Sequence, residues 1–121
     1  MRVEVMVATW LAVTAVSATG DEALRIAVSS AQSFAPSSLR IRASVAPNAE
    51  NRSLEIVAES SEFYRRSQIS LEGERAARTN MFEFRGLPGG DYLISAVVTD
   101  SRGHRRAIAE QQVRVIPQFG R

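Results

Sequence analysis

From Leu24 onward, runs of apolar side chains recur with period two and never sustain a helical spacing. Leu39, Ile41, Ala43 and Val45 alternate with Arg40, Arg42 and Ser44, and Leu54, Ile56 and Ala58 alternate with Glu55 and Glu59. A strand turns successive side chains to opposite faces, so each run describes a sheet with one face for a core and one for water. A more polar segment starts near Tyr64 and closes on Ile69 and Leu71. Phe82 and Phe84 alternate with Met81, Glu83 and Arg85; Tyr92, Ile94, Ala96 and Val98 follow. In the last strand, Ala107 to Ile116, Val113 and Val115 oppose Gln112 and Arg114. With Leu24 to Val28 as an opening strand the count is about seven. No window keeps apolar residues at i, i+3, i+4 and i+7 over three turns, so helices are absent or short. The expectation is an all-β chain: one antiparallel β-sandwich, its core in residues 39–121.

The connections agree. Pro47 to Asn51 reads as a turn and Gly73 to Thr79 as a charged loop. Asp100-Ser101-Arg102-Gly103 reads as a hairpin turn with Gly where positive φ is tolerated. Residues 19–38 are expected to hold the opening strand and a Ser/Ala-rich linker, Ser29 to Ser38, acting as a loop or tether. Ahead of them, Val5 to Val16 is uncharged and apolar. It is too short to span a bilayer, for which ~20 residues are needed. It suits the apolar region of a secretory signal, with Arg2 before it and Val16-Ser17-Ala18 as a small-residue cleavage site. Residues 1–18 are therefore expected to be a signal peptide and the chain to be exported: periplasmic, envelope-associated or extracellular. The competing reading is a strand in which Val3, Val5 and Val7 alternate with Arg2, Glu4 and Met6.

Leu87-Pro88-Gly89-Gly90-Asp91-Tyr92 carries the most local information. It resembles the tyrosine corner of Greek-key sandwiches, in which the Tyr hydroxyl bonds back to the backbone of the preceding turn. On that reading Pro88 fixes φ, Gly89 and Gly90 permit left-handed residues, and Leu87 plugs the core. The longer run from Phe82 to Tyr92 resembles the F-x-F-x-x-L-P-x-G-x-Y signature of transthyretin-like and carboxypeptidase-regulatory-like domains. The resemblance covers Met81 to Ile116. It implies an Ig-like or transthyretin-like sandwich of about seven strands, of the kind attached to or secreted with bacterial envelope proteins. It transfers no catalytic residue.

Composition excludes several chemistries. Cys is absent and His104 is the single His, which removes disulfides, thiolate nucleophiles and multi-His metal sites. All 15 basic residues are Arg, against 13 acids, a net charge of +2; the Lys-free composition points to a high-GC bacterium. Asp100, Ser101 and His104 share one turn, whereas a hydrolytic triad draws its members from separate elements, so a polar turn is the better reading. Asp21, Asp91 and Asp100 show no calcium-loop spacing. Arg40/Arg42, Arg65/Arg66 and Arg102/Arg105/Arg106 are interspersed with Glu55, Glu59, Glu62 and Glu110. Cross-strand ion pairs account for the arginines more simply than nucleic acid does. Asn51-Arg52-Ser53 matches a glycosylation acceptor, which has meaning only in a eukaryotic host.

One segment suggests recognition. Phe63-Tyr64-Arg65-Arg66 is the one place where two aromatic and two guanidinium groups adjoin, and both are enriched where interfaces bind most strongly. A sugar platform would need several aligned aromatics, so carbohydrate is the weaker expectation and a protein the stronger. The sequence therefore predicts no enzyme, cofactor or metal, no nucleic acid, and membrane contact only through the signal segment. It predicts an exported module for binding or structural support, or alternatively a subunit of a surface assembly that uses its N-terminal segment as an intersubunit strand.

Overall fold

The computed structural model describes residues 23–118; the signal segment, Trp10 and the Val3–Val7 alternation lie outside the described residues. Eight strands form two sheets. The first has the order β1 (Leu24–Val28), β3 (Ser37–Val45), β6 (Thr79–Leu87). The second has the order β2 (Gln32–Phe34), β8 (Arg105–Ile116), β7 (Gly90–Thr99), β4 (Ser53–Glu59), β5 (Tyr64–Ser70). One 3₁₀ turn, Gly73–Arg75, is the helical content among the described residues.

The alternation sets the layers. Leu39, Ile41, Ala43 and Val45 of β3 and Phe82 and Phe84 of β6 face Leu54, Ile56 and Ala58 of β4 and Tyr92, Ile94, Ala96 and Val98 of β7. Fully burying a side chain of Leu or Ile size contributes about 1.5–3 kcal/mol, so this two-sided core dominates the stability. Arg40, Arg42 and Glu83 point to water; Glu55, expected there too, is half-buried on the outer face of β4, where it pairs with Arg66.

Two expectations need correction. The stretch Ser29 to Ser38, read as loop or tether, carries β2 and the first two residues of β3. Three residues are too few to display an alternation, and Phe34 at its end is exposed. The strands are also not all antiparallel. After running antiparallel to β3, the chain crosses from the edge of one sheet to the edge of the other, so β2 meets β8 in parallel. Arg114 N–H donates to the Ala31 carbonyl and Ala35 N–H to that of Ile116, both at 2.9 Å. This crossover covers one side of the sandwich. The other side is bounded by the edges β5 and β6.

The corner before β7 closes as a hydrogen bond: Tyr92 Oη donates to the Pro88 carbonyl at 2.7 Å. Gly89 has a reason other than left-handed backbone. A Cβ there would lie 2.8–2.9 Å from three atoms of Pro117, the residue after β8. At the β7–β8 hairpin Gly103 does adopt positive φ, +84°.

Candidate interaction surface

Strand parity divides the four-residue segment Phe63 to Arg66. Phe63 packs against the core, its ring edge-on to Tyr92 with centroids 6.0 Å apart at 71°. The Arg65 guanidinium lies 5.1 Å from the Phe63 centroid, and its Nη1 donates to the Arg85 carbonyl on β6 at 2.9 Å. Phe63 and Arg65 thus join the edges of the two sheets, a cation–π contact and a hydrogen bond closing the open side. Tyr64 and Arg66 have the opposite parity and face outward. The expected patch is therefore half structural seam and half surface.

On that surface Tyr64 is 58% exposed, and it has company the sequence reading overlooked. Leu93 (37%) and Ile108 (41%) lie on the same outer face of the five-stranded sheet. Tyr64 lies opposite Glu59, which lies opposite Leu93; Arg66 opposite Val57, which lies opposite Ser95; and Val97 opposite Ile108. Half-buried Val57 is diagonal to Tyr64, Leu93 and Val97, and diagonal neighbours are close enough for large side chains to touch. The result is an apolar stripe crossing four strands. The signal was present in the alternation, since Leu93 and Ile108 have outward parity, but single apolar residues between inward ones are easily absorbed into a core.

The stripe has a charged border. Glu55, Glu59, Asp91 and Glu110 share the outer face with Arg66, Arg105 and Arg114. Arg66 pairs with Glu55 and Arg114 Nε with Asp91 Oδ1, each at 3.0 Å. At one end an open cleft of about 720 Å³ is lined by Glu59, Ser60, Asp91, Leu93, Gln112 and Arg114. Burial pushes the Tyr92 phenol at its floor above the ordinary 10.0, opposed by the Ser60 hydroxyl and the Arg65 charge.

The other singled-out residues have structural roles. Asp100 Oδ1 accepts the amides of Arg102 and His104, both at 2.9 Å, and Oδ2 lies 3.8 Å from His104 Nδ1. The His104 amide above all holds this carboxyl below its usual range. The carboxylate shapes the hairpin. Asn51 is buried: its Nδ2 donates to the Ala46 carbonyl at 3.0 Å and its Oδ1 accepts from Arg106 Nε at 3.2 Å. The glycosylation match is therefore incompatible with the fold, because a glycan would occupy the donor that ties the β3–β4 connection down. No group of three or more His, Cys, Asp or Glu able to hold a metal occurs among the described residues. The arginines were expected to be explained by cross-strand pairs. Arg25, Arg40 and Arg42 have none among the described residues, because Glu83, opposite Arg40 in register, pairs with Arg85 at 3.3 Å.

No protein-family model and no curated protein matches the sequence. Solved structures do match in shape. The superoxide reductase (neelaredoxin) from Ignicoccus hospitalis has a TM-score of 0.61 at 13% identity, over 79% of this chain and 82% of that one. The PKD domain of an M14-like peptidase from Thermoplasmatales archaeon SCGC AB-540-F20, an Ig-like sandwich, has 0.55 at 12%, over 78% and 93%. A family 76 glycoside hydrolase from a bovine Bacteroides thetaiotaomicron strain has 0.54 at 11%, over 76% of this chain and 20% of that one. Identities this low establish the fold alone, an all-β sandwich. They also correct the expectation that the chain is no enzyme. That expectation treated a small sandwich without an assembled nucleophile as a binding scaffold, whereas in Ignicoccus hospitalis a sandwich of this shape is itself a superoxide reductase.

Proposed function

We propose that this chain is an exported β-sandwich recognition module that binds a protein partner through the outer face of its five-stranded sheet. The observation carrying this reading is the stripe of Tyr64, Leu93 and Ile108, three exposed apolar side chains on one outer sheet face, running diagonally from the β5 edge to β8 and bridged by half-buried Val57 and Val97. Water-facing sheets ordinarily alternate to polar residues, and an exposed apolar patch with a polar rim is the surface that protein partners cover. Tyr64 and Arg66 add the residue types that dominate binding energy. The transthyretin-like and carboxypeptidase-regulatory-like resemblance of Phe82 to Tyr92 supports an accessory role in the envelope. So does the form of two structural neighbours: one is a domain of a peptidase, and the other matches over a fifth of a glycoside hydrolase chain.

A photo-crosslinking residue at position 64, with a second protein carrying it at position 101, tests the face in the host cell. Position 64 is expected to give a discrete adduct, and Leu93→Glu to abolish it with the fold intact. Equal labelling from position 101, or an adduct indifferent to Leu93→Glu, would overturn the reading. Export is tested by the mass of the host-derived protein, expected to begin near Thr19; an intact Met1 would refute it.

A further inference from the structure

The outer face of the three-stranded sheet is an arginine surface. Arg25 of β1, Arg40 and Arg42 of β3 and Arg85 of β6 point outward, and Glu83, already paired with Arg85, is the one acid in these strands. Arg25, Arg40 and Arg42 have no ion pair among the described residues. Their order is linear. Arg25 lies opposite Ser44, one same-face step along β3 from Arg42; Arg40 comes next, and Arg85 lies one step beyond the Glu83 opposite Arg40. With same-face neighbours roughly 7 Å apart along a strand, the track runs about 20 Å. Like charges so placed repel one another. Where the track starts, an open cleft of about 400 Å³ is lined by Arg25 and the exposed Arg78, with Ser44 and Thr79, opposite each other in register, in its wall.

We infer that this face binds a linear acidic polysaccharide, its carboxylates laid along the arginine track and one of them seated in the cleft. The inference concerns the face opposite the recognition stripe and does not depend on it. A guanidinium takes a carboxylate through two parallel N–H donors, so a polymer whose acid groups repeat along its length offsets the repulsion arginine by arginine. At the cleft Arg25 and Arg78 supply such forks, and the Ser44 and Thr79 hydroxyls donate to the same group or to sugar hydroxyls. A neutral sugar chain needs aligned aromatics, whereas an acidic one is held by charge. Two other polyanions fit the face less well. Single-stranded nucleic acid stacks its bases on aromatic rings, and the aromatics of these strands, Phe82 and Phe84, are buried. A bilayer surface takes up a broad apolar face beside basic residues, and Met81, 57% exposed, is the one large apolar side chain exposed on these strands.

Titration of the full chain with oligogalacturonate, followed by backbone amide NMR, tests this. Affinity should fall about tenfold or more between about 20 mM and about 500 mM salt, since surface charges are screened beyond roughly 20 Å at the first and a few Å at the second. Shifted amides should cluster on β1, β3 and β6. Shifts confined to the five-stranded sheet, or no binding at the lower salt, overturn the inference. Arg40→Gln/Arg42→Gln and Arg25→Gln/Arg78→Gln should each weaken binding about tenfold or more, the loss of charge-assisted hydrogen bonds. Their thermal midpoints should stay level or rise, because repulsion is relieved. Arg102→Gln, on the exposed β7–β8 hairpin, should bind like wild type. An equal loss from Arg102→Gln would reduce the binding to net charge and refute the track. Should a paired variant fail to fold, the wild-type amide map decides. A single-stranded oligonucleotide of matched charge, or vesicles of anionic phospholipid, binding more tightly than oligogalacturonate would assign the face to that class and overturn the polysaccharide. Crosslinking from position 64 reads the opposite face, so either proposal can fail alone.

Discussion

Replacing Tyr92 by Phe removes one oxygen from a side chain only 2% exposed. The hydroxyl lies 2.7 Å from the Pro88 carbonyl, a short neutral hydrogen bond whose net contribution is about 1 kcal/mol. Leaving a buried carbonyl unpaired would cost more, but Pro88 is exposed and water can reach it, which keeps the loss near that central figure. The ring is retained, so its edge-on contact with Phe63 survives. Thermal unfolding should therefore shift down by about 4–8 °C, the response of a domain of this size to 1 kcal/mol. Urea unfolding should show a lower midpoint at unchanged slope. Tyr92→Ala should cost about 3–5 kcal/mol, because it empties an aromatic-sized volume against the core. A Phe variant as stable as wild type would mean that the corner hydroxyl contributes nothing and the turn is held by Pro88 and packing alone. The same residue sets an alkaline limit. Burial raises the folded phenol above 10.0, so the neutral form favours folding. Its contribution is complete below the unfolded value and is lost as pH rises through the higher folded one. The stability gap between wild type and Tyr92→Phe should therefore narrow above about pH 10. A gap that widened there would reverse the sign and refute the argument.

Asn51→Ala should destabilise by about 1 kcal/mol, measured by urea unfolding, because it removes the buried amide's bonds to the half-buried Ala46 carbonyl and to Arg106 Nε, which water can reach. Asp100 is the acid-side counterpart: its folded carboxyl is held low by the His104 and Arg102 amides. That contribution is present above the ordinary carboxylate value and disappears as pH falls through the lower folded one, so Asp100→Asn should flatten the acid limb of the stability profile. An unchanged acid limb would show that the hairpin does not couple to folding.

How far the sequence could be read depended on what each residue's parity was competing with. Where alternation ran for four or more residues with one apolar face, as in Leu39 to Val45 and Tyr92 to Val98, layer and side were legible, because a slip of one residue would turn the whole apolar set to water. β2 was not legible: Gln32–Phe34 is held by the neighbouring β8 backbone, and backbone pairing leaves no mark in side-chain pattern. Gly89 shows the same limit. Its need for a missing Cβ comes from Pro117, distant along the chain, and not from its own φ.

The surface failed in an instructive way. Composition said that acids and arginines were mixed, and along the chain they are; yet strand order sorts the acids. β1, β3 and β6 bring Arg25, Arg40, Arg42 and Arg85 to one layer with Glu83, while β4, β7 and β8 bring Glu55, Glu59, Asp91 and Glu110 to the other, beside Arg66, Arg105 and Arg114. The acids became segregated in space because the hairpins β4–β5 and β7–β8 both enter the five-stranded sheet, while β3 and β6, the strands before and between them, enter the other. Cross-strand pairing works only within a layer, which is why it satisfies Arg66, whereas Glu83, the acid opposite Arg40, is taken by Arg85. Adjacent residues obey the same geometry on a smaller scale. Phe63 and Arg65 close the seam between β5 and β6, whereas Tyr64 and Arg66 face out, so one four-residue motif serves stability with one parity and offers a binding surface with the other.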